Sequence, residues 1–169
     1  GRSLVPLLKS DRSGRIDPQR TAVFTGRERH VGNARADHAP YPQRAIRTHE
    51  FLYIVNFHPE RWPLGDPYRI YGNDPPTAAE LAEDTRTTFA DDDAGPTKAW
   101  LVSARNDPDW KWLFHAVYDK RPREELYDLK ADPHQMKNVA ADPAYAKTRA
   151  ELEQRLMDEL RRTHDPRLV

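Results

Sequence analysis

With 169 residues, 27 Lys plus Arg and 27 Asp plus Glu, the chain suits one compact domain, or one small domain with a detached arm. Its zero formal charge argues against a nucleic-acid module, which normally carries a basic excess. Only 37% of residues are hydrophobic while 32% are charged and 15 are Pro, so long loops and a modest, aromatic-rich core are expected, with no run approaching the roughly 20 apolar residues of a membrane helix.

In chain order, Arg2 to Leu8 forms a short apolar patch, and Lys9 to Arg20, broken by Gly14 and Pro18, reads as a surface loop. Thr21 to Thr25 is a short strand candidate. Tyr41–Thr48 and Phe51–Phe57 read as a hairpin turning at His49 and Glu50, the second strand apolar enough to lie centrally. His58 to Asp74 is an extended loop. Thr77 to Phe89 is expected to be a helix, with Thr77 as cap, Glu80 at capping-box spacing, and Leu81, Thr85 and Phe89 on one face. Asp91 to Pro96 ends it. A second helix from Pro96 to Arg105 is expected to turn Trp100 and Leu101 inward, and Trp110 to Tyr118 is an apolar segment of either type.

The clearest pattern lies near the carboxyl end. Glu125 to Leu129 alternates polar and apolar side chains as a half-buried strand does, and Asp132-Pro133 stops it. Asp142 can cap the next helix and Pro143 can occupy its first turn. From there to Arg162, Tyr145, Thr148, Leu152, Leu156 and Leu160 share one face. The expected fold is α+β: a small antiparallel sheet of about four strands packed against this long C-terminal helix.

Few residues suggest chemistry on their own. Arg27-Glu28-Arg29-His30 follows a strand candidate, and Arg and His donate well to oxyanions; a solvated charged loop is the plainer reading of the same spacing. Asp91, Asp92 and Asp93 are oxygen ligands in type, but three sequence neighbours do not converge on one ion, so a solvated acidic turn is expected. His115, His134 and His164 lack zinc-site spacing, and the absence of Cys excludes disulfides and thiolate sites. Gly95-Pro96-Thr97-Lys98 lacks the second Gly of a phosphate loop and reads as a helix entry. Trp100, Trp110 and Trp112 are either sugar-stacking platforms or, more simply, core. The amino end does not read as a signal peptide.

The run Glu125-Leu126-Tyr127-Asp128-Leu129, followed by Asp132-Pro133 and Asn138-Val139-Ala140, resembles the E-L-Y-D-L-x-x-D-P-x-x-x-x-N-L-A signature near the carboxyl end of sulfatases. Gly26 to His30, Tyr41-Pro42, Phe51-Leu52-Tyr53 and Gly95 to Lys98 extend the likeness to bacterial relatives of heparan N-sulfatase, over the last third of such an enzyme. The resemblance implies that 1–38 is the tail end of the large sulfatase domain, its strand lacking neighbours or pairing with another copy, and that 39–169 is the C-terminal subdomain of an alkaline-phosphatase-like enzyme. It implies a parent, periplasmic or secreted, that hydrolyses a sulfate ester or sulfamate on a glycan such as heparan-type N-sulfoglucosamine. That parent would use a formylglycine made within Cys/Ser-x-Pro-x-Arg and a calcium ion. Neither is expected here: Ser3-Leu4-Val5-Pro6 has the wrong spacing, so no catalytic or metal residue is assigned. Glu28, Arg29 and His30 are carried over as substrate contacts, with Arg27 standing where Lys is expected. The implied partners are the parent's N-terminal domain, a sulfated glycan and a second copy of the chain, with neither nucleic acid nor membrane. The alternative is a carbohydrate-binding or assembly module without chemistry of its own.

Overall fold

The computed structural model describes residues 3–168; Gly1 and Arg2, which open the first apolar patch, and Val169 lie outside the described residues. Its elements are α1 (Val5–Leu8), β1 (Val23–Arg27), β2 (Gln43–Arg47), β3 (Phe51–Asn56), α2 (Ala78–Glu83), α3 (Pro96–Ser103), α4 (Lys111–Tyr118), β4 (Glu124–Asp128) and α5 (Ala146–Arg162), with short 3-10 turns between several of them. The four strands form one antiparallel sheet in the order β1-β2-β3-β4, so the fold is α+β. The strand at 23–27, expected to lack neighbours or to pair with another copy, instead pairs with β2 of its own chain.

Register sorts the strand residues onto two faces. Phe24, Ile46, Tyr53 and Leu126 stand opposite one another across the sheet, and the next row is Gly26, Arg44, Val55 and Glu124. This face meets α5: Leu152, Leu156 and Leu160 pack with Ile46, Tyr53, Val55 and Leu126 in one core. The leucines recur every four residues, which keeps them on one stripe of the helix. The other face carries the rows Val23, Arg47, Leu52, Tyr127 and Thr25, Ala45, Ile54, Glu125. Here Leu52 and Ile54 remain half-buried and Val23 is 51% exposed.

The sulfatase-like signature closes the outer edge of β4. The Asn138 side-chain carbonyl accepts from the Leu126 and Ala140 N–H groups (2.9 and 3.0 Å), its amide donates to the Glu124 carbonyl (3.1 Å), and the Val139 N–H donates to the Leu126 carbonyl (2.8 Å). Asn can do this because one short side chain offers both an acceptor and donors, satisfying a strand edge that has no neighbour. Asp128 accepts from the Lys130 and Ala131 N–H groups (both 3.0 Å), which makes the turn, while Tyr127 lies in the strand.

Between β3 and β4 the chain builds a second core from Ile70, Leu81, Phe89, Ala99, Val102, Phe114 and Tyr118. The expected helix 77–89 starts as anticipated, with a complete Thr77–Glu80 capping box, but it ends at Glu83. A 3-10 turn follows, and Phe89 enters the core from a left-handed conformation (φ 44). Trp110 to Tyr118 resolves as α4, and Pro96 opens α3. Trp100, expected inward, points out and is 46% exposed. Lys98 is buried in its place, because its ammonium donates to the Thr85, Phe89 and Asp92 carbonyls (3.1, 3.3 and 2.6 Å). Burial lowers its pKa.

Candidate functional site

The loop leaving β1 holds the three predicted site residues, and a polar frame fixes its course. The Glu28 carbonyl accepts from the Tyr41 N–H (2.7 Å), and Asp91 accepts from the Val31 N–H (2.6 Å) and from Arg35 (2.8 Å). Arg35 also donates to the Trp62 and Pro63 carbonyls, both at 2.7 Å. The Arg35 and Asp91 side chains are 2% and 0% exposed, a fully desolvated ion pair in which Arg35 Nε and Nη2 also meet backbone oxygens while the buried Nη1 has no hydrogen-bond partner. Gly65 makes the close approach feasible: at φ +101, a Cβ would sit 2.8 Å from the Ala90 nitrogen and 2.9 Å from the Ala34 oxygen. The neighbouring Tyr41 ring lies 5.4 Å from the Arg35 guanidinium carbon, and burial pushes its hydroxyl pKa up to about 12.

Within this frame the three residues part company. Glu28 is half-buried and paired with Arg44 (2.6 Å) and with both the Nε and Nη2 groups of Arg167. The Arg167 bonds, chiefly, hold its carboxyl below the usual range. Arg29 is exposed, one guanidinium nitrogen donating to the His38 carbonyl (3.0 Å), and the His38 ring contacts the Gly32 carbonyl at 3.0 Å. His30 is exposed. The loop therefore neutralises its carboxylate internally and turns Arg29 and His30 to solvent. A shallow groove of about 380 Å³ runs beside it, lined by Gly26, Arg27, Glu28, Arg44 and Asp165. A separate cavity of about 430 Å³ between the β2–β3 turn and α5 mixes Arg15, His49 and Arg155 with Glu50 and Glu151, and lacks a cationic excess.

Of the acidic turn, Asp93 is exposed as expected, but Asp91 and Asp92 are not free in solvent. Asp91 is committed to Arg35, and Asp92 accepts from the Tyr118 hydroxyl at 2.6 Å. Among the described residues no group of three or more His, Cys, Asp and Glu side chains could hold a metal ion. The calcium ion expected of a sulfatase therefore has no fitting donor set among the described residues. Of the tryptophans, Trp62 is half-buried with the Lys120 ammonium 5.3 Å from its ring centroid, whereas Trp110 and Trp112 are 48% and 52% exposed. Trp100 and Trp110 meet edge to face at 5.6 Å. Sequence spacing misses Arg35, Arg44, Asp165 and Arg167, whose partners lie far along the chain; the one available signal was the Asp91 cluster itself.

The chain is 29% identical to human N-sulphoglucosamine sulphohydrolase over 167 residues, which is 98% of this chain but 27% of that relative. It is 30% identical to an ulvan-active sulfatase of Formosa agariphila over 116 residues, 67% of this chain and 15% of the relative. This chain is a relative of sulfatases. Both matches fall in the relatives' C-terminal region, and the chain spans about a quarter or less of their length. No family model matches the chain. A solved structure of a protein in complex with its substrate D-glucosamine-2-N,6-O-disulfate aligns with 99% of this chain and 21% of its own, at 21% identity and a TM-score of 0.48.

Proposed function

We propose that this sulfatase relative is the C-terminal region of a hydrolase that removes sulfate from sulfated glycans, with N-sulfoglucosamine of heparan type as the leading substrate. The observation that carries this reading is the near-complete coverage of this chain by N-sulphoglucosamine sulphohydrolase, against only 27% of that enzyme. The nucleophile and calcium site belong to the rest of the longer protein. This region closes one wall of the pocket and offers Arg29 and His30 from its β1 loop, which Glu28 anchors through Arg44 and Arg167. Arg29 supplies a planar fork and His30 a ring donor, both suited to sulfate oxygens. The open edge of β1 and the incompletely covered Val23, Leu52 and Ile54 on the sheet face away from α5 suit docking against the remaining domain.

A second reading, a glycan-holding or assembly module without chemistry, draws on exposed Trp100, Trp110 and Trp112, since indoles left in solvent are costly unless a sugar or protein covers them. The upstream coding DNA separates the two. An open frame encoding Cys/Ser-x-Pro-x-Arg ahead of Gly1 is the expected result; a start codon and signal peptide directly before Gly1 would leave the module reading in its place.

A further inference from the structure

Four alternating charges, Arg167, Glu28, Arg44 and Asp165, tie the carboxyl end of the chain to the β1 loop. α5 stops with the Asp165 N–H donating to the Leu160 carbonyl (2.9 Å), and His164 takes a left-handed conformation (φ 52) that turns the chain back. The segment after it then lies beside β1 and β2. Arg44 faces Gly26 across the β1–β2 ladder, and a Cβ on Gly26 would come within 2.9 Å of the Arg44 Cδ and 3.2 Å of its Nε. The bare glycine is therefore the slot through which the Arg44 side chain crosses β1.

Beyond that slot, Arg44 donates to Asp165 (2.7 and 3.1 Å) and to Glu28 (2.6 Å), with only 9% of its side chain exposed. Arg167 reaches Glu28 from the other side, and its own N–H donates to Asp165 (2.9 Å). Two guanidinium groups thus fix the first residue of the loop and cancel a carboxylate that would otherwise repel an anion bound at its neighbours.

We infer that Arg44, Asp165 and Arg167 are positioning residues: they anchor Glu28, so that Arg29 and His30 stand out as a pair of hydrogen-bond donors for a sulfated sugar, and the carboxyl end becomes part of the binding loop. The inference rests on the reading that this loop meets the glycan.

The test uses the 169-residue chain with Arg167→Gln, Arg167→Lys and, as a control, Arg162→Gln, which removes the Glu159–Arg162 pair (2.6 Å) on α5. Amide exchange is followed at Tyr41, whose N–H meets the Glu28 carbonyl, and glucosamine-2-N,6-O-disulfate is titrated by NMR. Arg167→Gln is expected to speed Tyr41 exchange about fivefold and to weaken sugar binding about as much, with Arg167→Lys recovering most of both and Arg162→Gln changing neither. Unchanged Tyr41 exchange in Arg167→Gln, or an equal rise in the control, overturns the positioning role. If Arg29→Ala binds the sugar as well as the parent chain does, the glycan reading fails together with the binding half of this inference, while the exchange result still decides the anchoring half.

Discussion

The unit of sheet and α5 and the lobe between β3 and β4 fold by different means. In the first, periodic apolar residues meet across a regular interface: Ile46, Tyr53, Val55 and Leu126 against Leu152, Leu156 and Leu160. In the second, α2, α3 and α4 are short, and much of the backbone is irregular. Buried polar groups organise it, with Lys98 satisfying three carbonyls, Tyr118 reaching Asp92, and Arg35–Asp91 pinning the loop that carries Arg29 and His30. Irregular backbone has no ladder to satisfy its N–H and C=O groups, so side chains must supply the partners. The candidate site therefore depends on the second region's clamps while standing on the first region's sheet.

Substitutions should expose that division. Asp91→Ala strands the buried Arg35 guanidinium and should cost about 3–5 kcal/mol in denaturant unfolding, with exchange rising first at Val31 and across the lobe while the β2–β3 amides stay protected. Leu156→Ala, at a site with no solvent exposure, should cost about 3 kcal/mol, and here protection of β2 and β3 should fall first. Gly65→Ala forces a side chain into the left-handed region and against the Ala34 and Ala90 backbone; a loss of about 2 kcal/mol is expected, felt in the lobe and in the β1–β2 loop it meets. Thr77→Ala removes the cap of α2 and should cost about 1 kcal/mol.

The smallest effect is electrostatic. The Arg69 hydrogen bond, followed by those from Thr77, lowers the Glu80 carboxyl from 4.5 to about 2. A depressed folded-state pKa contributes stability above the unfolded value and loses it as pH falls, so the Glu80 contribution should disappear between pH 4.5 and about 2. Thermal unfolding across that window should show a steeper decline for the parent chain than for Arg69→Gln.

The same division explains what was legible in the sequence. β3, β4 and α5 announce themselves because alternation and four-residue spacing are local, and the Thr77–Glu80 box is local too. The pairing of β1 with β2 was not legible, since a strand pattern does not name its neighbour. Neither was the outward turn of Trp100, which follows from the three carbonyls that draw Lys98 inward. The charged run Arg27 to His30 was visible in its residue types, but it became a site candidate only through the family resemblance. Its anchors could not be located, because Arg35 meets Asp91 across 56 positions and Arg167 meets Glu28 across 139. Long-range pairs leave no periodic trace.

Sulfate release from N-sulfoglucosamine, assayed side by side on the proposed longer protein that would include this sequence and on the 169-residue chain, tests the central claim most directly. The account predicts release by the longer protein and none by the chain alone. Release by the chain alone, or none by a longer protein that is folded and carries Cys/Ser-x-Pro-x-Arg, would contradict it.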